Sequence, residues 1–138
     1  MAMLFYLASC QKDDPVYNNI PEIELISATP STVKQYKDSI VFVISYKDGD
    51  GDLGENSADA KNLFLTDNRI NITYDYRIPQ LSPDGSHIII KGQLSVVLKS
   101  TGITDGSTQQ MASYSIYVKD RAGNKSNVVT TPILTIQK

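Results

Sequence analysis

The chain has no tryptophan, one histidine (His87) and one cysteine (Cys10) in 138 residues. A single thiol cannot close an internal disulfide, and one histidine with one cysteine cannot build a His/Cys metal cluster. Glutamate is scarce too, with three against 12 aspartates. That imbalance favours turns and oxygen-lined loops over helices, because the short Asp side chain competes with helical backbone hydrogen bonds. Neither sign of charge dominates: 13 Lys and Arg against 15 Asp and Glu leave a net charge of -2. No basic field exists to gather a phosphate backbone, so nucleic acid is excluded as a partner. The remaining composition, 41% hydrophobic and 20% charged, suits one folded domain with a single core. Its available chemistry is oxygen chemistry.

The apolar start, Met1 to Ser9, stops at Cys10 and gives way to Gln11-Lys12-Asp13-Asp14. It is far shorter than the roughly 20 residues of a membrane-crossing helix, and it lacks the basic beginning of a full secretory signal. Leu7-Ala8-Ser9-Cys10 resembles the lipobox of bacterial lipoproteins. The resemblance implies that residues 1–10 are the end of a lipoprotein signal and that Cys10 carries the lipid. Two or three acyl chains would then hold the protein on a membrane, since one alone binds marginally. Gln11-Lys12-Asp13-Asp14 resembles the acidic export tag of Bacteroidetes-type surface lipoproteins, which implies an address on the outer face of the outer membrane. Residues 11–21 are polar, with prolines at 15 and 21 and asparagines at 18 and 19, and read as a flexible tether.

From Glu22 onward the apolar residues repeat every second position. Ile40, Phe42, Ile44 and Tyr46 form one row, Leu94, Val96 and Leu98 another, and Ala112, Tyr114, Ile116 and Val118 a third. Period two is the pattern of strands with one buried face. Further strands are expected at 22–28, 62–66, 70–78, 86–91 and 127–136, with Pro132 marking an edge or a bulge in the last. Turn residues separate them at Pro30-Ser31, Ser82-Pro83-Asp84-Gly85, Thr104-Asp105-Gly106 and Gly123-Asn124. Only 57–61 offers a single helical turn. The expectation for 22–138 is an all-β domain: an immunoglobulin-like or fibronectin III-like β-sandwich of seven to eight antiparallel strands in a Greek key.

The strand at 40–47 runs into Asp48-Gly49-Asp50-Gly51-Asp52-Leu53-Gly54. Alternate carboxylates on a glycine-rich backbone bring several oxygens toward one point, which is a geometry for a hard cation. Without an ion the three charges raise one another's pKa. An oxygen-only donor set favours Ca2+ over Zn2+, and Mg2+ takes fewer protein ligands. The spacing departs from the helix-flanked calcium hand, because Leu53 stands at the sixth position and Asp59 at the twelfth. A second turn, Asp120 to Asn127, offers Asp120 and Asn124 as further oxygen donors. If the strands ending at Lys47 and Lys119 are the second and sixth of an immunoglobulin-type sandwich, their BC and FG loops emerge at the same end. Asp48, Asp50, Asp52, Asp120 and Asn124 are therefore the expected metal ligands. Asp67, closing the strand Leu63-Phe64-Leu65-Thr66, is a third candidate contributor, although the direction of its strand points it to the opposite end. His87 reads as a plain surface histidine. Tyr74, Tyr76, Tyr114 and Tyr117 read as strand packing.

The blocks Phe42 to Gly54, Asn62 to Arg69, Arg77 to Pro79 and Tyr114 to Asn127 resemble those of small Bacteroidetes-type surface lipoproteins with an immunoglobulin-like or cadherin-like fold. The resemblance implies a secreted, surface-attached module and supplies no reaction. The expectation is a non-catalytic, lipid-anchored module that binds Ca2+ at the BC/FG end and meets a glycan or a surface protein. The competing expectation is a glycoside hydrolase built on two carboxylates, or an accessory subunit of a surface glycan-uptake assembly. It fits less well, because carboxylates packed on one short stretch serve one ion better than they flank a scissile bond.

Overall fold

A computed structural model describes residues 17–138; Cys10, the lipobox and Asp13–Asp14 lie outside the described residues. The described chain is all β. Its strands are β1 (Glu22–Thr29), β2 (Thr32–Lys34), β3 (Ile40–Asp48), β4 (Leu63–Asp67), β5 (Ile72–Tyr76), β6 (Ile90–Leu98), β7 (Gln109–Ala112), β8 (Tyr114–Val118), β9 (Val129–Thr130) and β10 (Leu134–Gln137).

They form three sheets, in the orders β1-β3-β6, β2-β10-β7 and β5-β4-β8-β9. The last two are nearly one surface. Only Ser113 separates β7 from β8, and Thr131 bridges the break by donating its N–H to the Tyr114 carbonyl (2.9 Å) and accepting the Tyr114 N–H on Oγ1 (3.0 Å). The arrangement is consistent with a β-sandwich, with the β1-β3-β6 sheet facing the other two. The three inward rows read from the sequence meet in its core. Ile40, Phe42, Ile44, Val96, Leu98, Ala112, Tyr114, Ile116 and Val118 are all buried, with Tyr46 and Leu94 packed against them. Phe42 of β3 meets Tyr114 of β8 edge to face at 5.3 Å, which fastens one layer to the other with a favourable aromatic geometry.

Four local departures account for ten short strands where seven or eight were expected. The runs at 86–91 and 94–98 belong to one strand, β6. The run at 112–118 bends at Ser113 so that its halves serve two sheets. The run at 127–136 divides around Pro132, which has no N–H to give to a ladder. Residues 32–34 add β2, which lies parallel to β10, whereas all pairings were expected to be antiparallel. β1 also carries a bulge: Leu25 pairs with Ile44 and Ser27 with Val43. Ile26 is the extra residue and is exposed. The single helical turn foreseen at 57–61 is a tight turn closed by the Ala60 N–H on the Ser57 carbonyl (3.2 Å).

Candidate metal centre

The same alternation that buries the core of β3 delivers its last residue inward. Ile40, Phe42, Ile44 and Tyr46 share a face with Asp48, whose residue surface is only 1% exposed. β8 repeats the device: Tyr114, Ile116 and Val118 are followed at the same parity by Asp120, which is 7% exposed. Two strands on opposite layers thus end in a buried carboxylate.

The backbone between these ends is held tightly. Leu53 is fully buried and acts as the loop's anchor, while its N–H donates to Asp48 Oδ2 at 2.8 Å. Gly51 (φ 74°) and Gly54 (φ 88°) adopt left-handed conformations, and a Cβ on either would strike a carbonyl oxygen, Ile88 O or Pro79 O. The Ser82 hydroxyl donates to the Gly51 carbonyl. The second turn is stitched to the first by the Arg121 N–H on the Asp52 carbonyl (3.2 Å), the Ala122 N–H on Asp52 Oδ2 (3.3 Å) and the Arg121 guanidinium on the Gly54 carbonyl (2.6 Å).

One carboxylate oxygen each from Asp48, Asp52 and Asp120 can be chosen so that all lie within 4.8 Å of one another. Asp50 Oδ1 is buried beside them. The oxygens Asp48 Oδ1, Asp50 Oδ1 and Asp52 Oδ1 have no hydrogen-bond partner. A buried carboxylate oxygen without a donor costs free energy, and three together add mutual repulsion. Burial raises the Asp48 pKa to about 6; the Leu53 N–H opposes the rise, and Asp50 and Asp52 add to it. Asp52 is also raised, first by burial and then by repulsion from Asp120 and Asp50. A cation coordinated by these oxygens would relieve both the missing partners and the repulsion. The donor set is hard, all oxygen and multiply anionic, and could hold a metal ion.

The structure therefore brings together Asp48, Asp52 and Asp120; Asp50 is not one of that group, although its charge acts on both Asp48 and Asp52. Asn124 stands behind Asp120: its backbone N–H donates to Oδ1 at 2.7 Å and its Nδ2 to Oδ2 at 2.8 Å. Its side-chain amide orients Asp120. Asp67 lies at the opposite end, since β4 runs antiparallel to β8 with Asp67 opposite Tyr114 and Leu63 opposite Val118. There it pairs with Arg69 at 2.6 Å. The other Arg69 donors are also engaged, by the Gly102 carbonyl, Gln110 and Thr101. His87 is exposed. Tyr114 lies in the core, Tyr74 and Tyr76 pack against it, and Tyr117 stacks on Phe64 at 4.8 Å.

Three contributors escaped the sequence reading. Arg121 sits inside the quoted turn, and its charge beside an acidic loop was the available signal. Leu53 acts through its backbone N–H, which every residue but proline has, so only the burial of its side chain sets it apart. Asn127 pairs its side-chain amide with both backbone groups of Ile23, at 2.8 Å each, across a separation of 104 positions that no local pattern records. No family model matches the chain, and no curated protein or solved structure is significantly similar to it.

Proposed function

We propose that this protein is a non-catalytic, immunoglobulin-like module, anchored through a lipid on Cys10 to the outer face of a bacterial outer membrane. In this reading one Ca2+ ion binds between the 48–54 and 120–127 loops. The ion stiffens that end of the sandwich, which meets a glycan or a protein partner. The observation that carries the metal part is the set of buried, unpartnered oxygens on Asp48, Asp50 and Asp52. The anchor and the address rest on the likeness of residues 7–14 to a lipobox and export tag.

The ion's role here is structural. Asp48 and Asp120 are the final residues of two inward rows on opposite layers, so a shared cation ties the layers where their charges would otherwise push them apart. The same burial argues against glycoside hydrolysis, because a carboxylate that is 1% exposed cannot reach a sugar.

Calorimetric titration with calcium chloride, paired with thermal melting, tests the metal part. At a free calcium concentration of about 100 times Kd, stabilisation is roughly 2.7 kcal/mol. For a domain of this size that raises Tm by about 10 °C. Absence of both heat and a Tm rise would remove calcium from the proposal.

A further inference from the structure

Residues 17–21, the end of the segment read as a tether, lie against the acidic loop. The Gly49 N–H donates to the Asn18 carbonyl at 3.0 Å. Lys91 Nζ sits 4.3 Å from the centroid of the Tyr17 ring and is also hydrogen-bonded to its hydroxyl. Pro21 is buried, and Asn18 Oδ1 accepts the Ile20 N–H at 3.0 Å. A cavity of about 250 Å³ bordered by Tyr17, Asn18, Ile20, Glu22, Lys47 and Asp48 runs between this segment and the loop. Just beyond, Ile23 is clasped by the Asn127 amide.

The two attachment points belong to the two acidic loops. Gly49 lies between Asp48 and Asp50, and Asn127 closes the turn that begins at Asp120. Gly49 does not adopt a left-handed φ, so its own backbone tolerates a side chain. What forbids one is the strap, because a Cβ there would strike the carbonyl oxygens of Asn18 and Tyr17. The site itself rests on more than a group of acids, since Asp48 is 1% exposed and its Oδ1 has no partner.

We propose that the cation fastens residues 17–21 to the sandwich: ion binding between the two acidic loops and docking of this strap on Gly49 and Asn127 are coupled. The inference rests on the calcium reading of the loops. With the ion in place, Asp48, Asp52 and Asp120 are drawn to one centre, and the Gly49 N–H and the Asn127 amide are held where the strap needs them. Without it, carboxylate repulsion loosens both loops and the strap detaches. Calcium then sets the stance of the module relative to the chain that leads from Cys10.

Coupling of this kind is reciprocal, so whatever factor calcium adds to docking, docking adds to calcium affinity. The experiment measures amide hydrogen exchange of the full chain by NMR in calcium and in chelator, with calcium titrations of wild type, Gly49→Ala and Tyr17→Ala. The Gly49 and Ile23 amides are expected to gain roughly 5- to 150-fold in protection with calcium, beyond any gain at core amides of β3, which report global stability. Gly49→Ala leaves every carboxylate in place and should weaken calcium binding by the same factor. Tyr17→Ala, which removes a ring held by Lys91 and leaves the backbone against Gly49 in place, should weaken it in the same direction and serves if Gly49→Ala does not fold. Calcium heat with unchanged strap protection and wild-type affinity in Tyr17→Ala overturns the strap and leaves the calcium reading standing. Absence of calcium heat in the wild type overturns both.

Discussion

Replacing Asp48 with Asn should stabilise the protein in chelator and destabilise it relative to wild type in calcium. The carboxyl stands at the end of the inward row of β3, and burial raises its pKa from 3.8 to about 6. A folded-state pKa above the unfolded one means that the folded chain binds the proton more tightly. Its contribution is therefore complete below about pH 4 and is lost as pH rises through about 6. The span from 3.8 to about 6 corresponds to roughly 3 kcal/mol at neutral pH, and solvent screening at the loop's rim reduces this to about 1 to 2 kcal/mol. Asn removes the charge and keeps an acceptor for the Leu53 N–H. In chelator at pH 7, Asp48→Asn should melt about 4 to 8 °C above wild type, and at pH 4 the two should coincide. With calcium at about 100 times Kd the wild type gains roughly 2.7 kcal/mol, while the variant, short of one charged ligand, gains little, so the order of melting temperatures reverses. Melts at both pH values, in chelator and in calcium, decide the matter. A variant less stable than wild type in chelator at pH 7, or one that calcium stabilises equally, would refute the reasoning.

Two further predictions concern the frame that holds the site. Asp67→Ala leaves Arg69, whose side chain is 9% exposed, as a buried cation without its partner; the loss should be about 3 to 5 kcal/mol in urea unfolding, with calcium affinity unchanged because Asp67 lies at the far end. Asn62→Ala removes the acceptor of the Ile78 N–H (2.5 Å) and one of two donors to the Ile78 carbonyl (3.2 Å); the carbonyl keeps the Glu55 N–H at 2.9 Å, so one buried backbone group loses its partner, which should cost about 1 to 3 kcal/mol, with faster exchange at the Ile78 amide. An unchanged urea midpoint in either variant would contradict the corresponding role.

Much of the fold was legible because strand alternation is a local signal. The row from Ile40 to Tyr46 needed no partner to be recognised, and extending its parity by one step puts Asp48 on the buried face. The row from Ala112 to Val118 does the same for Asp120. The sheet assignments were not legible. Ser113 looks like any outward strand residue, yet the chain bends there and serves two sheets. The parallel seat of β2 on β10 joins residues about a hundred positions apart, and no turn signals it. The same is true of the Asn127 clasp on Ile23 and the Asn62 clasp on Ile78, where a side-chain amide takes the place of a strand neighbour. Asn124 offers metal an oxygen because Asn carries a carbonyl, and the bond from its amide nitrogen to Asp120 Oδ2 is a contact that residue type alone does not reveal.

By itself, then, the sequence determined an all-β domain with defined inward rows and two acidic, glycine-bearing turns with the oxygen chemistry of a hard cation. These follow from residue type and spacing along a few positions of chain. Only the tertiary structure decided that the turns, with Asp52 and Asp120 separated by 68 positions (120 minus 52), meet at one point. It also decided that Asp48 is buried deeply enough to hold a proton near pH 6, and that residues 17–21 rest on Gly49. A carboxylate's ordinary pKa belongs to its covalent structure, but its desolvation and the repulsion it feels depend on what the folded chain packs around it.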